Sequence, residues 1–350
     1  MTLHDPDAPR KPRPDQAPRR FWLYAPYVVV LIAAIGWSAA WVWVRSEVAG
    51  RMDAAAQRWR DAGLTMDWKA RRIDGYPFRV DVTLDDVRLA EPSGWALAAS
   101  QIKAEAYAYK LDQWIGYAPK GATLTRPASG AVQITGPVLR ASWARSERGA
   151  PRIAIEGQKL VFAPQPGAKP FVLSAAQYLD FHSRPADGDQ VEFLLRIDGA
   201  SAPSGSILSR IAQARPMGIA WEGKVSNASS LHGRDWPAAA RAWTAAGGGL
   251  DVEHGALTAG ASVLNLRPGR LSIDRDGLLK GTVGLDLRQA PNIIRTLADA
   301  KAIDPLAADQ AMTVAQARAA GGPVTQADLT FLAGATVFGP VAIGPAPKVY

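Results

Sequence analysis

The sequence contains no cysteine among its 350 residues and only four histidines. The absence of cysteine excludes disulfides, thiolate metal sites, a cysteine nucleophile and a lipidated N-terminal cysteine. The histidines follow no HExxH spacing, so a histidine-built metal site has no local signature. These residues are His4, His182, His232 and His254. The composition therefore removes several common kinds of catalytic and metal centre.

Other short patterns associated with chemistry are incomplete. The segment GASAP at 199–203 approaches a nucleophile elbow, but it ends in proline and leads into no clear helix. The acidic segments 187–189 and 274–277 lack the third oxygen ligand and the distal glutamate of a calcium loop, and turn chemistry explains them. Because no acid, base and nucleophile occur together, we expect no enzymatic activity, no metal and no cofactor.

The sequence also lacks a large excess of positive charge. The net charge of +8 is modest for 350 residues, and no arginine-rich face interleaved with aromatic residues appears. Nucleic-acid binding is therefore not predicted. A mildly basic surface fits anionic lipid head groups equally well.

What the sequence does contain is one long apolar run. Residues 21–44 carry no charge and are bounded by Arg19 and Arg20 on one side and by Arg45 on the other. As a helix this run would extend about 36 Å, enough to cross a hydrocarbon core of about 30 Å. The run predicts one transmembrane helix.

A cleaved signal peptide is the alternative, because the small residues at 38–40 fit a cleavage site. However, the apolar run continues through 41–44, where a mature N-terminus is normally polar, and this favours an uncleaved anchor. Residues 1–20 are basic and rich in proline, which predicts a disordered cytoplasmic tail. Residues 45–350 would then form a domain on the other side of the membrane.

Directly after the span, apolar residues recur at helical spacing and a glycine follows them, which predicts an amphipathic helix. The residues are Val48, Met52, Ala55, Trp59 and Ala62, followed by Gly63. Two interpretations are open. The helix either packs on the domain beyond it or forms a lid or collar at the membrane surface.

The period then changes from helical to alternating. Phe78, Val80, Val82 and Leu84 point to one side of a predicted strand, and charged residues point to the other. Similar runs follow, separated by Gly, Pro, Asp and Asn as hairpin turns require. They lie at 102–109, 132–143, 152–162, 171–181, 191–197, 219–225, 250–257, 262–266, 270–274, 279–287 and 329–338.

Helical patterns interrupt the strands only locally, at 237–246, 292–301 and 306–320. The sequence therefore predicts a mainly β protein, in which a transmembrane helix precedes a long curved antiparallel sheet with a few packed helices. Alternation with one apolar face implies that something covers that face.

Three segments, at 63–89, 247–287 and 329–350, resemble a bacterial envelope family, the domain of unknown function 2125 (DUF2125). The sharpest motif of this resemblance consists of Gly75, Tyr76, Pro77, Phe78 and Arg79. The half from residue 247 onwards is also similar, more distantly, to the C-terminal region of AsmA-like envelope proteins. Those proteins are anchored in the inner membrane of Gram-negative bacteria and form curved periplasmic sheets whose apolar inner face is thought to handle lipids.

The resemblance implies a single-pass inner-membrane protein with its C-terminal domain in the periplasm. Its apolar sheet groove would bind or transfer lipids or support envelope organisation, with acyl chains contacting Phe78, Val80, Val82 and Leu84. The alternative is a non-enzymatic scaffold that assists assembly of envelope proteins, its apolar face filled by its own helices. Expected partners are therefore the membrane, lipid acyl chains and other envelope proteins.

Overall fold

The computed structural model describes residues 21–147, 149–319 and 322–350. The predicted cytoplasmic tail, residues 1–20, lies outside the described residues. The α-helices are α1 (Phe21–Asp61), α2 (Ile207–Ile211), α3 (Trp236–Ala245), α4 (Ala290–Asp299) and α5 (Pro305–Arg318).

The strands form one antiparallel 18-stranded sheet, which confirms the predicted mainly β fold. They are β1 (Thr65–Asp67), β2 (Ala70–Asp74), β3 (Arg79–Ala90), β4 (Ala96–Tyr107), β5 (Lys110–Tyr117), β6 (Ala122–Arg126), β7 (Gly130–Thr135), β8 (Val138–Ala144), β9 (Arg152–Pro164), β10 (Ala175–Ala186), β11 (Gln190–Ala200), β12 (Met217–Ser226), β13 (Leu250–Ala259), β14 (Ser262–Ile273), β15 (Leu279–Arg288), β16 (Val324–Leu332), β17 (Ala335–Phe338) and β18 (Val341–Pro345).

Helix α1 joins the predicted span and the predicted amphipathic helix into one uninterrupted helix of 41 residues. Within the part of the chain that the structure describes, it is the one helix long and apolar enough to cross a membrane. The helix ends as the sequence predicts. Gly63 has a φ of +80°, and its N–H donates to the carbonyl of Arg60 at 2.9 Å.

Most strands pair with the next strand in the chain, as hairpins do. Strands β1 and β2 both pair with β3, near its two ends. Strand β4 pairs with β5 along one half and with β6 along the other, and β9 pairs in the same way with β8 and β7. From β9 to β18 each strand pairs with its successor.

At three places the predicted runs are divided or joined differently in the structure. The run 329–338 falls on β16 and β17, because the turn at Ala333 and Gly334 separates them. The predicted run 132–143 is divided into β7 and β8, because Gly136 and Pro137 lie between them. The runs 262–266 and 270–274 are instead one strand, β14, whose register shifts between Arg267 and Gly269. A β-bulge keeps such a strand continuous although the alternation in its sequence is broken.

The later helices follow their capping residues. Asp235 accepts from the N–H of Ala238 at the start of α3, and Asp304 accepts from the N–H of Leu306 at the start of α5. Helix α2, which the sequence analysis does not predict, has five residues and begins after Ser206. Such a short helix carries too few turns to show a period.

Candidate apolar binding surface

Cross-strand pairing gives one face of the sheet a continuous apolar row. Directly opposed residues of neighbouring strands share a face, so the pairing can be followed from β3 to β16. The row consists of Val82, Ala104, Gly116, Ala141, Ile155, Phe181, Leu195, Trp221, Gly255, Leu266, Leu285 and Ala327. We call this side of the sheet the apolar face.

The opposite face is mainly polar. Its corresponding row consists of Asp81, Glu105, Ile115, Ser142, Ala154, His182, Leu194, Glu222 and His254. The difference between the two rows confirms that the alternation in the sequence marks an amphipathic sheet.

Helix α1 covers one end of the apolar face. Val80 and Val82 are 0% and 3% exposed, and they form one buried cluster with Leu84 and with Trp41 and Val48 of α1. Three of the four predicted lipid-contacting residues therefore lie together, beneath a helix of their own chain. Of the two interpretations of the amphipathic segment, the structure supports packing on the domain.

Phe78, the fourth predicted residue, has different surroundings. It lies in the turn before β3 and is 62% exposed. Its ring contacts that of Trp37 in α1, with 6.2 Å between centroids. It therefore belongs to the junction between α1 and the sheet.

An ion pair connects the C-terminal half of α1 to β2. Arg71 donates from Nη1 and Nη2 to the carboxylate of Asp53, at 2.7 and 3.1 Å. These hydrogen bonds lower the pKa of Asp53 from its ordinary value. Arg71 also donates to the backbone carbonyl of Ala49, so the contact fixes both the side chain and the backbone of α1.

Helices α4 and α5 cover the other end of the apolar face. Leu285 and Ala327 from the apolar row form a buried cluster with Ile294 of α4 and with Ala311 and Ala315 of α5. Small alanines on α5 let this helix approach the sheet closely. The row is thus buried at both of its ends.

Between these covered ends, the apolar face is partly open. Trp143 and Ile155 are 39% and 36% exposed, Ala141 is exposed, and Phe181 and Leu195 are half-buried. We call these five residues, on β8 to β11, the open middle.

An apolar cavity adjoins the next strands on the same face. It has a volume of about 210 Å³ and lies between α3 and strands β12 to β15. Val225, Leu250 and Leu271 line its sheet side, and Trp236 and Trp243 line its helix side. The apolar surface of the open middle therefore has a neighbouring cavity of the same character.

Trp221 lies between the open middle and this cavity. Its ring packs edge-on against Phe193, with centroids 5.6 Å apart. Its indole N–H is buried and has no hydrogen-bond partner among the described residues. A buried hydrogen-bond donor without a partner is uncommon in folded proteins.

The polar face has a cavity of a different kind. It has a volume of about 620 Å³ and is lined by His182, Arg184, Glu192 and Glu222, among others. Arg184 and Glu192 form an ion pair there. In the described residues, no three His, Cys, Asp or Glu side chains lie close enough together to hold a metal ion.

The motif at 75–79 forms the turn between β2 and β3 and holds the sheet to α1. The indole N–H of Trp37 donates to the carbonyl of Pro77 at 2.8 Å, and that of Trp41 donates to the carbonyl of Arg79 at 2.8 Å. Gly75 has a φ of +103°, and a Cβ there would lie 2.8 Å from the Arg79 carbonyl oxygen. The motif therefore has a structural role that its sequence alone does not reveal.

One protein family matches most of the chain. Residues 41–347 match the family described as "Uncharacterized protein conserved in bacteria (DUF2125)". The chain belongs to the DUF2125 family. The DUF2125 match begins at Trp41, the first residue of α1 that is buried against the sheet, so it includes the packed half of α1. No curated protein and no solved structure matches the chain significantly.

Proposed function

We propose that this protein is an envelope protein anchored in the inner membrane by α1, and that it binds lipid acyl chains on the open middle of its apolar face. The observation that carries the proposal is the apolar row, which continues through the open middle while helices bury it at both ends. Contiguous exposed apolar surface on a folded domain marks an interaction site.

The dimensions of the open middle suit an acyl chain. The strip from β8 to β11 crosses three strand spacings, about 14 Å at about 4.8 Å each. One leaflet of a bilayer accounts for about half of the ~30 Å hydrocarbon core, so an acyl chain spans roughly 15 Å. One chain would therefore fit along the strip, across the strands.

The contacts differ from those that the sequence analysis predicts. Val80, Val82 and Leu84 lie beneath α1, so an acyl chain would reach them only if the helix moved away. Ile155 and Phe181 need no such rearrangement. We therefore propose the open middle as the contact surface.

The proposed location is the periplasmic side of the inner membrane. It is supported by the apolar, solvent-exposed first half of α1 and by the basic residues that precede it. In this arrangement the sheet stands next to the outer leaflet of the membrane that anchors it.

A photo-crosslinking amino acid at Ile155 tests the proposal directly. Ile115 provides a matched control, because it has the same side chain and is 46% exposed on the opposite face. We expect phospholipid adducts, detected by mass spectrometry of the full chain labelled in cells, at Ile155 and not at Ile115. Equal labelling at the two positions, or no lipid at Ile155, would contradict acyl-chain binding.

A scaffold for envelope proteins is the second candidate. The observation that favours it is that the chain fills both ends of its own apolar face, with α1 at one end and with α4 and α5 at the other. In that case the open middle contacts another protein. The same crosslinking experiment would then give a protein adduct of defined mass at Ile155 in place of lipid.

A further inference from the structure

Four exposed aromatic residues lie together at one end of the sheet. We call them the aromatic tip: Tyr76, Phe78, Tyr107 and Tyr109, which are between 54% and 68% exposed. Tyr76, Phe78 and Tyr109 lie in the turns of two neighbouring hairpins, β2–β3 and β4–β5, and Tyr107 is the last residue of β4. The N–H of Ala108 joins the turns by donating to the carbonyl of Phe78 at 2.9 Å, and the rings of Tyr107 and Tyr109 stack with centroids 5.3 Å apart.

The first hairpin turn is fixed to α1 at a known position along the helix. Trp37 binds the carbonyl of Pro77 and contacts the ring of Phe78. At the next residue of α1, the hydroxyl of Ser38 lies 2.9 Å from that of Tyr76. The depth of α1 in a membrane therefore also sets the depth of this turn.

The uncharged run 21–44 limits that depth. A hydrocarbon core needs about 20 helical residues, so it extends at the earliest over 21–40 and at the latest over 25–44. Residues 25–40 lie within the core in every such arrangement. Trp37 and Ser38 are therefore inside the core, close to its outer boundary, and the residues that they contact lie at the same level.

The polar side chains by which α1 contacts the turn are paired, as a low-dielectric environment requires. The Trp37 N–H has an acceptor, and the hydroxyls of Ser38 and Tyr76 have each other. Next to the turn, at the start of β3, Arg79 forms ion pairs with Asp81 at 2.9 Å and with Glu105 at 3.2 Å. The guanidinium charge of Arg79 is therefore neutralised within the sheet, and Asp74, on the other side of the turn, is exposed.

We propose that the aromatic tip enters the membrane that holds α1, at the boundary between its hydrocarbon core and its interfacial layer, and thereby fixes the sheet to the bilayer at a second point. Tyrosine and tryptophan concentrate at this layer because their apolar rings and polar ends match its two sides. Lys110, exposed next to Tyr109, would extend its ammonium group to the lipid phosphates. The inference rests on the membrane anchorage proposed above.

The absence of cysteine makes a depth measurement simple, since each single cysteine carries the only label. Spin labels are attached to F78C, to Y109C, to I35C in the span and to Y178C, which replaces a tyrosine that is 56% exposed on β10. The full chain is reconstituted in vesicles of phosphatidylethanolamine and phosphatidylglycerol. The accessibility of each label to oxygen and to a water-soluble nickel chelate is then compared by electron paramagnetic resonance.

We expect the ratio of oxygen to nickel accessibility at Phe78 and Tyr109 to exceed the ratio at Tyr178 several-fold, and to be lower than the ratio at Ile35. If Ile35 is in the membrane but Phe78 and Tyr109 match Tyr178, the aromatic tip is in water and the inference is wrong. If Ile35 itself is in water, the anchorage in the proposed function fails. The two failures are therefore distinguishable.

Discussion

Placing a carboxylate under α1 is the most direct test of how the apolar face is filled. Val82 is 3% exposed and lies in the buried cluster with Trp41 and Val48. The change Val82→Asp removes the burial of a valine side chain, worth about 1.5 to 3 kcal/mol. It also buries a carboxylate for which this apolar cluster offers no partner, which adds a few kcal/mol.

The total loss in the free energy of unfolding is on the order of 5 kcal/mol, against a usual stability of about 5 to 15 kcal/mol. We expect Val82→Asp to lose between about a third and all of its stability, and therefore to unfold at a much lower urea concentration than the wild type. Val82→Ala removes the equivalent of two methylene groups, about 1.6 kcal/mol at about 0.8 each, plus a cavity cost, and should remain folded.

Urea unfolding of the full chain in detergent micelles, followed by far-ultraviolet circular dichroism, measures these differences. Ile115→Asp is the control. This side chain is 46% exposed on the opposite face, so its loss should change stability by no more than about 0.5 kcal/mol. If Val82→Asp were as stable as this control, α1 would not pack on β3, and the apolar face would be open at this end.

Three further predictions concern topology, acid stability and the family motif. A reporter active only in the periplasm should work when fused after Tyr350 and fail when fused before α1; the reverse pattern would overturn the orientation. Because the pKa of Asp53 is lowered by its hydrogen bonds with Arg71, this pair contributes stability above the ordinary carboxyl pKa and loses it as the pH falls through the lowered value. Arg71→Gln should weaken this acid dependence in unfolding titrations, and an unchanged profile would contradict it. Gly75→Ala should lower the free energy of unfolding by about 2 kcal/mol, because the backbone there has positive φ and the Arg79 carbonyl leaves no room for a methyl group. The urea midpoint measures this loss, and a variant as stable as the wild type would show that the turn can adjust.

The sequence predicts the class of fold because the helical period and the alternation of strands can both be recognised in short stretches of sequence. Alternation identifies the strands of the amphipathic sheet, and the acidic residues Asp235 and Asp304 mark the starts of α3 and α5. The short strand β6 is missed, and β7 is merged with β8 into one predicted run, because five or six residues carry little alternation. The division of β4 between two partner strands is a tertiary feature, and no local pattern encodes it.

The open and covered parts of the apolar face could not be distinguished in this way. Val82 and Ile155 occupy the same kind of position in an alternating run, and they lie in one row of the sheet. Their different burial depends on where α1 packs, which is decided by contacts across the fold. For the same reason, the sequence predicts that Phe78 belongs with Val82, whereas the structure places it in a turn against Trp37.

The aromatic tip and the open middle are close enough to act together. Strand β5 begins at Lys110, beside the tip, and Trp114 lies four residues further along it, about 13 Å away at about 3.3 Å per residue. Trp114 is directly opposite Trp143 of the open middle. An acyl chain of roughly 15 Å could therefore contact the open middle while its other end remained at the membrane surface. If the tip sits in the interfacial layer, a lipid would need to leave the bilayer only partly to reach the sheet, and α1, which sets the depth of the tip, would also set this distance.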